Sequence, residues 1–346
     1  MNEVKPKTSE QAVIFTSILF DIFEMSLKKD DLLKKTFFMK VSKEELEKVL
    51  QDSFTEEDEY FFLKGGKKRV SNEKYLEEKI DLIKKNLDWI KEVPFLRSAL
   101  ISGSLARGHS QKKSDIDLFL IFRRNRLFTG RFFLMSKLKL KKIFNRKNVK
   151  GFCLNHFCTD NLDSISEKNL YTASLVTHFL PIVDDGFFEK FLKKNSWSKD
   201  FFPNGNLQEP FSHCFSFIQG RRNKKEKFLK GELGNWFEKF FEIIQRIKIA
   251  LNLSTYKKQA KIVVNKKEIA LHPEPKAEKF ILEFERRVAA FLNPYAFQKR
   301  ILGLEKRAIS DQIKRTRSFV RSNLKNKIII PDAGAGEQKK QGLRLE

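Results

Sequence analysis

The sequence predicts an α+β protein. The residues at 114–122, "SDIDLFLIF", form a strong apolar strand pattern, with shorter strand-like runs on either side, "FLRSALISG" at 95–103 and "KGFCLNHFCT" at 150–159. Long segments before, between and after these runs carry apolar residues at helical spacing. A chain of 346 residues exceeds one typical domain, so the pattern is divided among two or three units.

In chain order, "TSEQAVIFTSILFDIFEMSL" has apolar residues at Val13, Ile14, Ile18, Leu19, Ile22 and Phe23, one face of a helix. A short second helix follows in "KKDDLLKKTFF". A third, "SKEELEKVLQDS", opens with a capping box, Ser42 with Glu45 three residues on. The run "DEYFFLKGGKKRV" then reads as a hairpin about Gly65-Gly66. Three helices followed by a hairpin is the order of a winged-helix domain, expected over residues 1–71.

Residues 71–93 form a charged amphipathic helix linking this unit to the next, with Tyr75, Ile80, Leu82, Ile83, Leu87 and Ile90 as its apolar positions. The strand at 95–103 leads into about one helical turn, "SLARGHS", and then the strong strand. A basic helix, "FTGRFFLMSKLKLKKIF", precedes the strand at 150–159. Residues 72–165 are read as the core. The stretch "EKNLYTASLVTHFLPIVDDGFFEKFLKKNSW" reads as helices, and 166–328 as a mainly helical C-terminal region interrupted near "KIVVNKKEIALHPEP". The tail 329–346, polar and with several glycines, is expected to be disordered.

Composition narrows the function classes. Lys and Arg total 69 against 44 Asp and Glu, a formal charge of +25, which favours phosphate-bearing or acidic partners, nucleic acid among them. The 35 Phe residues and the prevalence of Lys are equally what an A/T-biased coding sequence produces. Three cysteines, Cys153, Cys158 and Cys214, are too few and wrongly spaced for a disulfide framework or a zinc site, which points to a reducing compartment. No signal peptide is expected. The most apolar long stretch, "WFEKFFEIIQRIKIALNL", is broken by charges, so the chain is read as cytosolic with no membrane partner.

Asp115 and Asp117 stand two residues apart, so in a strand they share one face while Ile116, Leu118, Leu120 and Phe122 share the other. Two like charges on one face demand a raised carboxyl pKa or a bound cation, and Mg²⁺ suits oxygen ligands of this kind. Upstream, Gly103-Ser104 sits where a strand turns into a helix, offering backbone N–H groups and a hydroxyl to phosphate oxygens. Together they suggest metal-assisted attack on a nucleoside triphosphate. "GSLARGHS" also fits the G-x-x-x-x-G-x-S outline of a P-loop, but His109 occupies the lysine position and a strand rather than a helix follows.

The stretch "SGSLARGHSQKKSDIDLFLIF" resembles the signature of the nucleotidyltransferase superfamily that includes DNA polymerase beta and the aminoglycoside nucleotidyltransferases: Gly-Ser, about ten residues, then Asp-apolar-Asp. With "GFCLNHF", "LYTA" and "NSW...FFPN", most of the chain is similar to bacterial nucleotidyltransferase-domain proteins with a winged-helix-like segment. The resemblance implies a core with a mixed sheet and two Mg²⁺ ions held by Asp115 and Asp117. It places the triphosphate on Gly103 and Ser104, with Arg107 and Ser114 beside it. The reaction implied is transfer of a nucleoside monophosphate to an acceptor hydroxyl, with pyrophosphate released. The acceptor is left open among a small molecule, a protein side chain and an RNA end.

The superfamily usually supplies a third carboxylate from a later strand, often as the base. Here that strand carries no acid before Asp160, so three alternatives stand. Asp160 or Asp163 reaches in, Asn155 replaces the acid, or catalysis is lost and the chain is a nucleotide-binding or regulatory protein. His156 fits a core histidine better than a base. Arg107, Lys112 and Lys113 suit either triphosphate neutralisation or a solvated loop. Trp197 suits packing better than stacking a nucleobase, and the basic run from Gly220 suits a solvated helix or nucleic-acid phosphates. A DNA-binding regulator led by the N-terminal unit is the remaining reading. Its third helix carries Glu44, Glu45, Glu47 and Asp52 against Lys43 and Lys48, which favours packing or substrate positioning over reading DNA, although the hairpin with Lys64, Lys67, Lys68 and Arg69 is basic.

Overall fold

The computed structural model describes residues 4–144, 151–165, 167–204, 224–251, 261–272 and 276–293. The chain divides into two units, Met1–Val288 and Ala289–Glu346, and the first carries everything below. The expected tail, Cys214 and all residues beyond 293 lie outside the described residues, as does the start of the basic run at Gly220.

The chain opens with α1 (Ser9–Ile22), β1 (Leu27–Lys28), α2 (Lys29–Lys35), α3 (Lys43–Ser53), β2 (Phe54–Glu57) and β3 (Tyr60–Leu63). The three strands form a small antiparallel sheet in the order β1-β3-β2. The capping box that opens α3 is formed as the sequence requires, with Ser42 and Glu45 bonding each other's backbone N–H. The hairpin turns at Asp58-Glu59, not at Gly65-Gly66. Both turn residues have positive φ, 50° and 68°, as a tight hairpin matched to strand twist needs. Lys68 binds Asp58 and Lys28 binds Glu59, which offsets the poor fit of a glutamate to that conformation.

Next come α4 (Glu73–Lys84), α5 (Leu87–Lys91), β4 (Leu96–Ser102), α6 (Gly103–Ala106), β5 (Ile116–Phe122), α7 (Leu127–Phe144) and β6 (Phe152–Thr159). Then follow α8 (Leu170–His178), β7 (Leu180–Asp184) and α9 (Phe188–Lys194), and finally α10 (Lys224–Phe228), α11 (Glu232–Leu251), β8 (Lys261–Val264), β9 (Glu268–His272) and α12 (Lys276–Leu292). The fold is thus α+β with a mixed, six-stranded sheet in the order β7-β4-β5-β6-β9-β8. Only the β5–β6 pair is parallel among the described strands.

Central strand β5 is apolar on both faces because both are covered. Ile116, Leu118, Leu120 and Phe122 pack with α4, α5, α7 and α11. Phe119 and Ile121 pack with Val176, Phe179, Phe188 and Phe191 on the other side. Residues 180–184, expected as helix, form edge strand β7 instead. Pro181 cannot sit within a helix, and Ile182-Val183 favour extended backbone. The hairpin β8–β9 likewise joins the sheet, so the stretch read as a helical C-terminal region supplies three of its six strands.

The N-terminal helices share one core with later segments. Residues Ala12 through Phe20 of α1 are buried on every side rather than along one stripe. Leu170 and Ala173 of α8, Phe201, Phe202, and Phe280, Ile281, Phe284 and Val288 of α12 complete that cluster. The "LYTA" and "NSW...FFPN" stretches therefore act as ties. Asn169 caps α8 at Thr172 N–H (2.9 Å), Asn204 donates to the carbonyl oxygens of Leu33 and Lys34, and Trp197 packs edge-on against Phe201.

Candidate functional site

The turn between β4 and α6 meets β5 at the carboxylate of Asp117. Gly103 adopts φ 71°, and a Cβ there would stand 2.5 Å from Asp117 Oδ2. Glycine is required both for the left-handed backbone and for the close approach. Ser102 Oγ donates to the Asp117 carbonyl oxygen at 3.3 Å, across the register pair Ser102↔Asp117. Gly103 and Ser102 are thus brought against Asp117, while Ser104 follows Gly103 in α6 and is not among the residues lining the pocket beside Asp117.

Asp117 is half-buried and Asp115, just before the strand, is exposed. Burial pushes the Asp117 carboxyl above the usual carboxylate range. Lys276, the thiol of Cys153 and Arg107 pull it down, while the Asp115 charge adds to the rise. Cys153, opposite Asp117 in the parallel pairing, donates to its carboxylate. Burial and the two aspartates push the thiol up to about 12, so it stays protonated. Two cations found only in the structure stand nearby. Burial lowers the pKa of Lys79, on α4, against the pull of Asp115 and Asp117, and Lys276 opens α12.

The other predicted residues fall in different places. Ser114 is held in its own loop by Lys79 Nζ and by Gln111 N–H at 3.1 Å, beside Asp115 but away from the pocket. Arg107 is 5% exposed, its guanidinium carbon 3.8 Å from the centre of the Phe23 ring, so it is a buried cation and not part of a solvated loop. Lys112 and Lys113 are exposed. The Asn155 side chain lies outside the described part of the structure. A bulge sets two residues, Leu154 and Asn155, against Leu118, and His156 then pairs with Phe119.

Asp160 and Asp163 do not reach the site. β5 and β6 run parallel from Asp117↔Cys153, so Asp160 lies seven residues further along, at about 20 Å. There it accepts from Arg124 N–H at 2.8 Å. Asp163 is turned to Lys267 at 3.3 Å.

A pocket of about 140 Å³ runs from Gly103 and Asp117 along this face of the sheet. Its far wall carries a carboxylate that the local sequence gave no reason to select, Glu268 of β9, whose Oε1 accepts from His156 Nε2–H at 2.9 Å. β9 pairs antiparallel with β6, which brings the two side chains together. The alternation of "EIALH" was the available signal, but nothing local says which strand it joins. Glu167 and Glu278 also line the pocket. Among the described residues, no group of three or more His, Cys, Asp or Glu side chains is arranged to hold a metal ion. Asp115 and Asp117 lie close enough for the charge of Asp115 to raise the pKa of Asp117.

The basic hairpin is largely engaged within the chain. Lys64 donates to the Asp52 carbonyl oxygen at 2.7 Å, Lys68 binds Asp58 and Glu57, and Arg69 binds Asp21 at 2.8 Å. The exposed face of α3 carries Glu44, Glu45, Glu47 and Asp52. No described helix is long and apolar enough to cross a membrane. Comparison of the chain with protein-family models, with curated proteins and with solved structures returned no match.

Proposed function

We propose that the chain is a nucleotidyltransferase of the polymerase-beta-like superfamily, using a nucleoside triphosphate and Mg²⁺. The observation that carries this reading is the fit of Gly103 against Asp117: a glycine turn leaving one strand closes directly on a carboxylate of the next, with a second carboxylate, Asp115, at its side. That juxtaposition sets phosphate-binding backbone beside cation-binding oxygens.

In the proposed reaction an acceptor hydroxyl oxygen bonds to the α-phosphorus, the bond from that phosphorus to the bridging oxygen breaks, and pyrophosphate leaves. The hydroxyl proton passes to a base or to water. Mg²⁺, when bound, supplies charge neutralisation at the phosphates. Asp115 and Asp117 are the residues to hold it, and Gly103 and Ser104 meet the phosphate oxygens. Lys79, Lys276 and Arg107 add positive charge around the same point. With no third carboxylate grouped with the two aspartates among the described residues, a single Mg²⁺ is favoured over two.

The N-terminal unit, winged-helix-like in the order of its elements, serves to pack against α8 and α12 rather than to read DNA, because its third helix is acidic. Cys153 and Cys158, as thiols and not in a disulfide, suit a cytosolic protein. The test is incubation with labelled nucleoside triphosphates and Mg²⁺ in cell extract, beside an Asp115→Ala, Asp117→Ala double variant. Label on an extract component only with the intact chain supports transfer. Equal signals from both overturn the role of the aspartates, and binding of nucleotide without transfer favours a regulatory protein.

A further inference from the structure

The pocket beside Asp117 is small and mainly apolar, with charged side chains in its lining. Its volume, about 140 Å³, is close to that of cavities that take a single benzene-sized ring. The body is apolar, walled by Phe119, Ile165, Leu175, Phe179, Val263 and Ala270. Gly103 and Asp117 line it from the β4–β5 side. Glu268, 5% exposed, lines it from β9, its carboxylate held by His156. His156 is itself held by the ring of Phe119, 4.4 Å between centres.

Charge and shape together restrict what such a pocket accepts. In a chain of formal charge +25, the pocket is lined by the carboxylates of Asp117, Glu167, Glu268 and Glu278 against the ammonium of Lys276. A polyanion is repelled from the inner wall, which excludes the end of an RNA. The lining is mainly apolar, and Ser102, Tyr171 and Thr172 are its hydroxyl-bearing side chains; each further hydroxyl that a sugar ring buried without a partner would cost about 1–3 kcal/mol on mutational scales. An apolar ring carrying one hydroxyl and one cationic amine matches the apolar walls together with the carboxylates of Asp117 and Glu268.

We infer that this pocket is the acceptor site of the proposed transferase, and that it takes a small ring-bodied amino alcohol with its ammonium on Glu268 and its hydroxyl toward Asp117. The inference rests on the transferase reading for the word acceptor, and on the cavity alone for the ligand's chemistry. The strand register holds the two carboxylates apart. Glu268 pairs with Cys158, which stands opposite Ile121, four residues along β5 from Asp117, and β9 lies two strands over from β5; the Glu268 side chain reaches back to His156.

The test is calorimetric titration of the full chain with tyramine, without nucleotide or metal, beside Glu268→Gln and Ala270→Phe variants and beside glucosamine as a second ligand. Unfolding midpoints of each variant check the fold, and Glu268→Gln keeps shape if Ala270→Phe does not fold. Saturable tyramine binding is expected. It should weaken at least about tenfold in Glu268→Gln, the loss of one charge-assisted pair. It should vanish when Phe fills the pocket. Glucosamine, of similar charge and ring size but rich in hydroxyls, should bind more weakly. No saturable tyramine binding, equal binding by Glu268→Gln, or equal binding of glucosamine overturns the inference. Label transfer in extract without tyramine binding leaves the transferase standing and removes this acceptor class. Tyramine binding as expected with no label transfer to any component removes the acceptor role.

Discussion

Gly103 carries two requirements at one position, and each predicts the same result on substitution. Gly103→Ala places a methyl group within 2.5 Å of Asp117 Oδ2 and leaves a non-glycine residue at φ 71°, so the turn or the carboxylate must move. A loss of about 1–3 kcal/mol in urea unfolding is expected. An unchanged midpoint would show that the turn yields freely and does not fix Asp117. Two buried histidines give a prediction in pH. Burial lowers the pKa of His109 and lowers that of His178 well below the ordinary value of 6.5. Among the described residues neither ring nitrogen of His109, nor Nε2 of His178, has a hydrogen-bond partner, while His178 Nδ1–H donates to the Ser174 carbonyl oxygen at 2.7 Å. The unfolded chain then binds protons that the folded chain refuses. Stability from these groups is complete above about pH 6.5 and falls as the pH drops below it, by at most about 1.4 kcal/mol per pH unit for each. His178→Gln removes one of the two groups, so urea unfolding at about pH 7.5 and pH 5.5 should show a smaller acid loss in the variant than in the parent. Equal losses would place the acid sensitivity elsewhere.

Elements depend on partners far away in the chain. The first turn of α7 has its backbone N–H groups at Phe128 and Thr129 satisfied by the carboxylate of Glu238 on α11, each at 2.9 Å. Glu238→Ala leaves both donors without that acceptor in a half-buried setting, a loss of about 1.5–3 kcal/mol that urea unfolding would read. A change within error would mean that water reaches the helix end. Such long-range caps explain which elements could be read locally and which could not. The capping box of Ser42 and Glu45, the strand of Asp117 and the turn at Gly103 are local patterns, and each is found where residue spacing puts it. The Asp58-Glu59 turn carries no glycine, and its two lysine partners lie outside the hairpin strands. The run 180–184 was masked by helical spacing on both sides, and only Pro181 and the Ile182-Val183 pair spoke against it. The partner of β9 is written nowhere near it, so Glu268 entered the pocket unannounced. The bulge that brings His156 opposite Phe119 is equally silent in the sequence.

The whole molecule is built so that its first and last described parts stand on one another within the unit Met1–Val288. The N-terminal helices do not bury their apolar surface among themselves. Phe280, Ile281, Phe284 and Val288 of α12 fill the cluster around α1, with Phe284 edge-on to both Phe15 and Phe37 and Phe23 stacked on Phe280 at 4.5 Å. Arg287 and Arg69 both bind Asp21, adding a polar clamp at the end of α1. Four buried apolar side chains at about 1.5–3 kcal/mol each amount to about 6–12 kcal/mol as an upper figure, the size of a whole domain's stability. A chain ending at residue 275 should therefore lose the tertiary structure of residues 4–71, although every residue of that segment is still present. Limited proteolysis mapped by mass spectrometry reads this directly: rapid cleavage within residues 4–71 is expected in the shortened chain and slow cleavage in the full one. Near-ultraviolet circular dichroism should weaken in parallel as the clustered phenylalanines lose their fixed setting. Equal resistance of the two chains would show that the N-terminal helices close their own core, and that the supporting role assigned to α12 is wrong. The same truncation removes Lys276, whose charge pulls on Asp117, so the site and the N-terminal core are held by one helix.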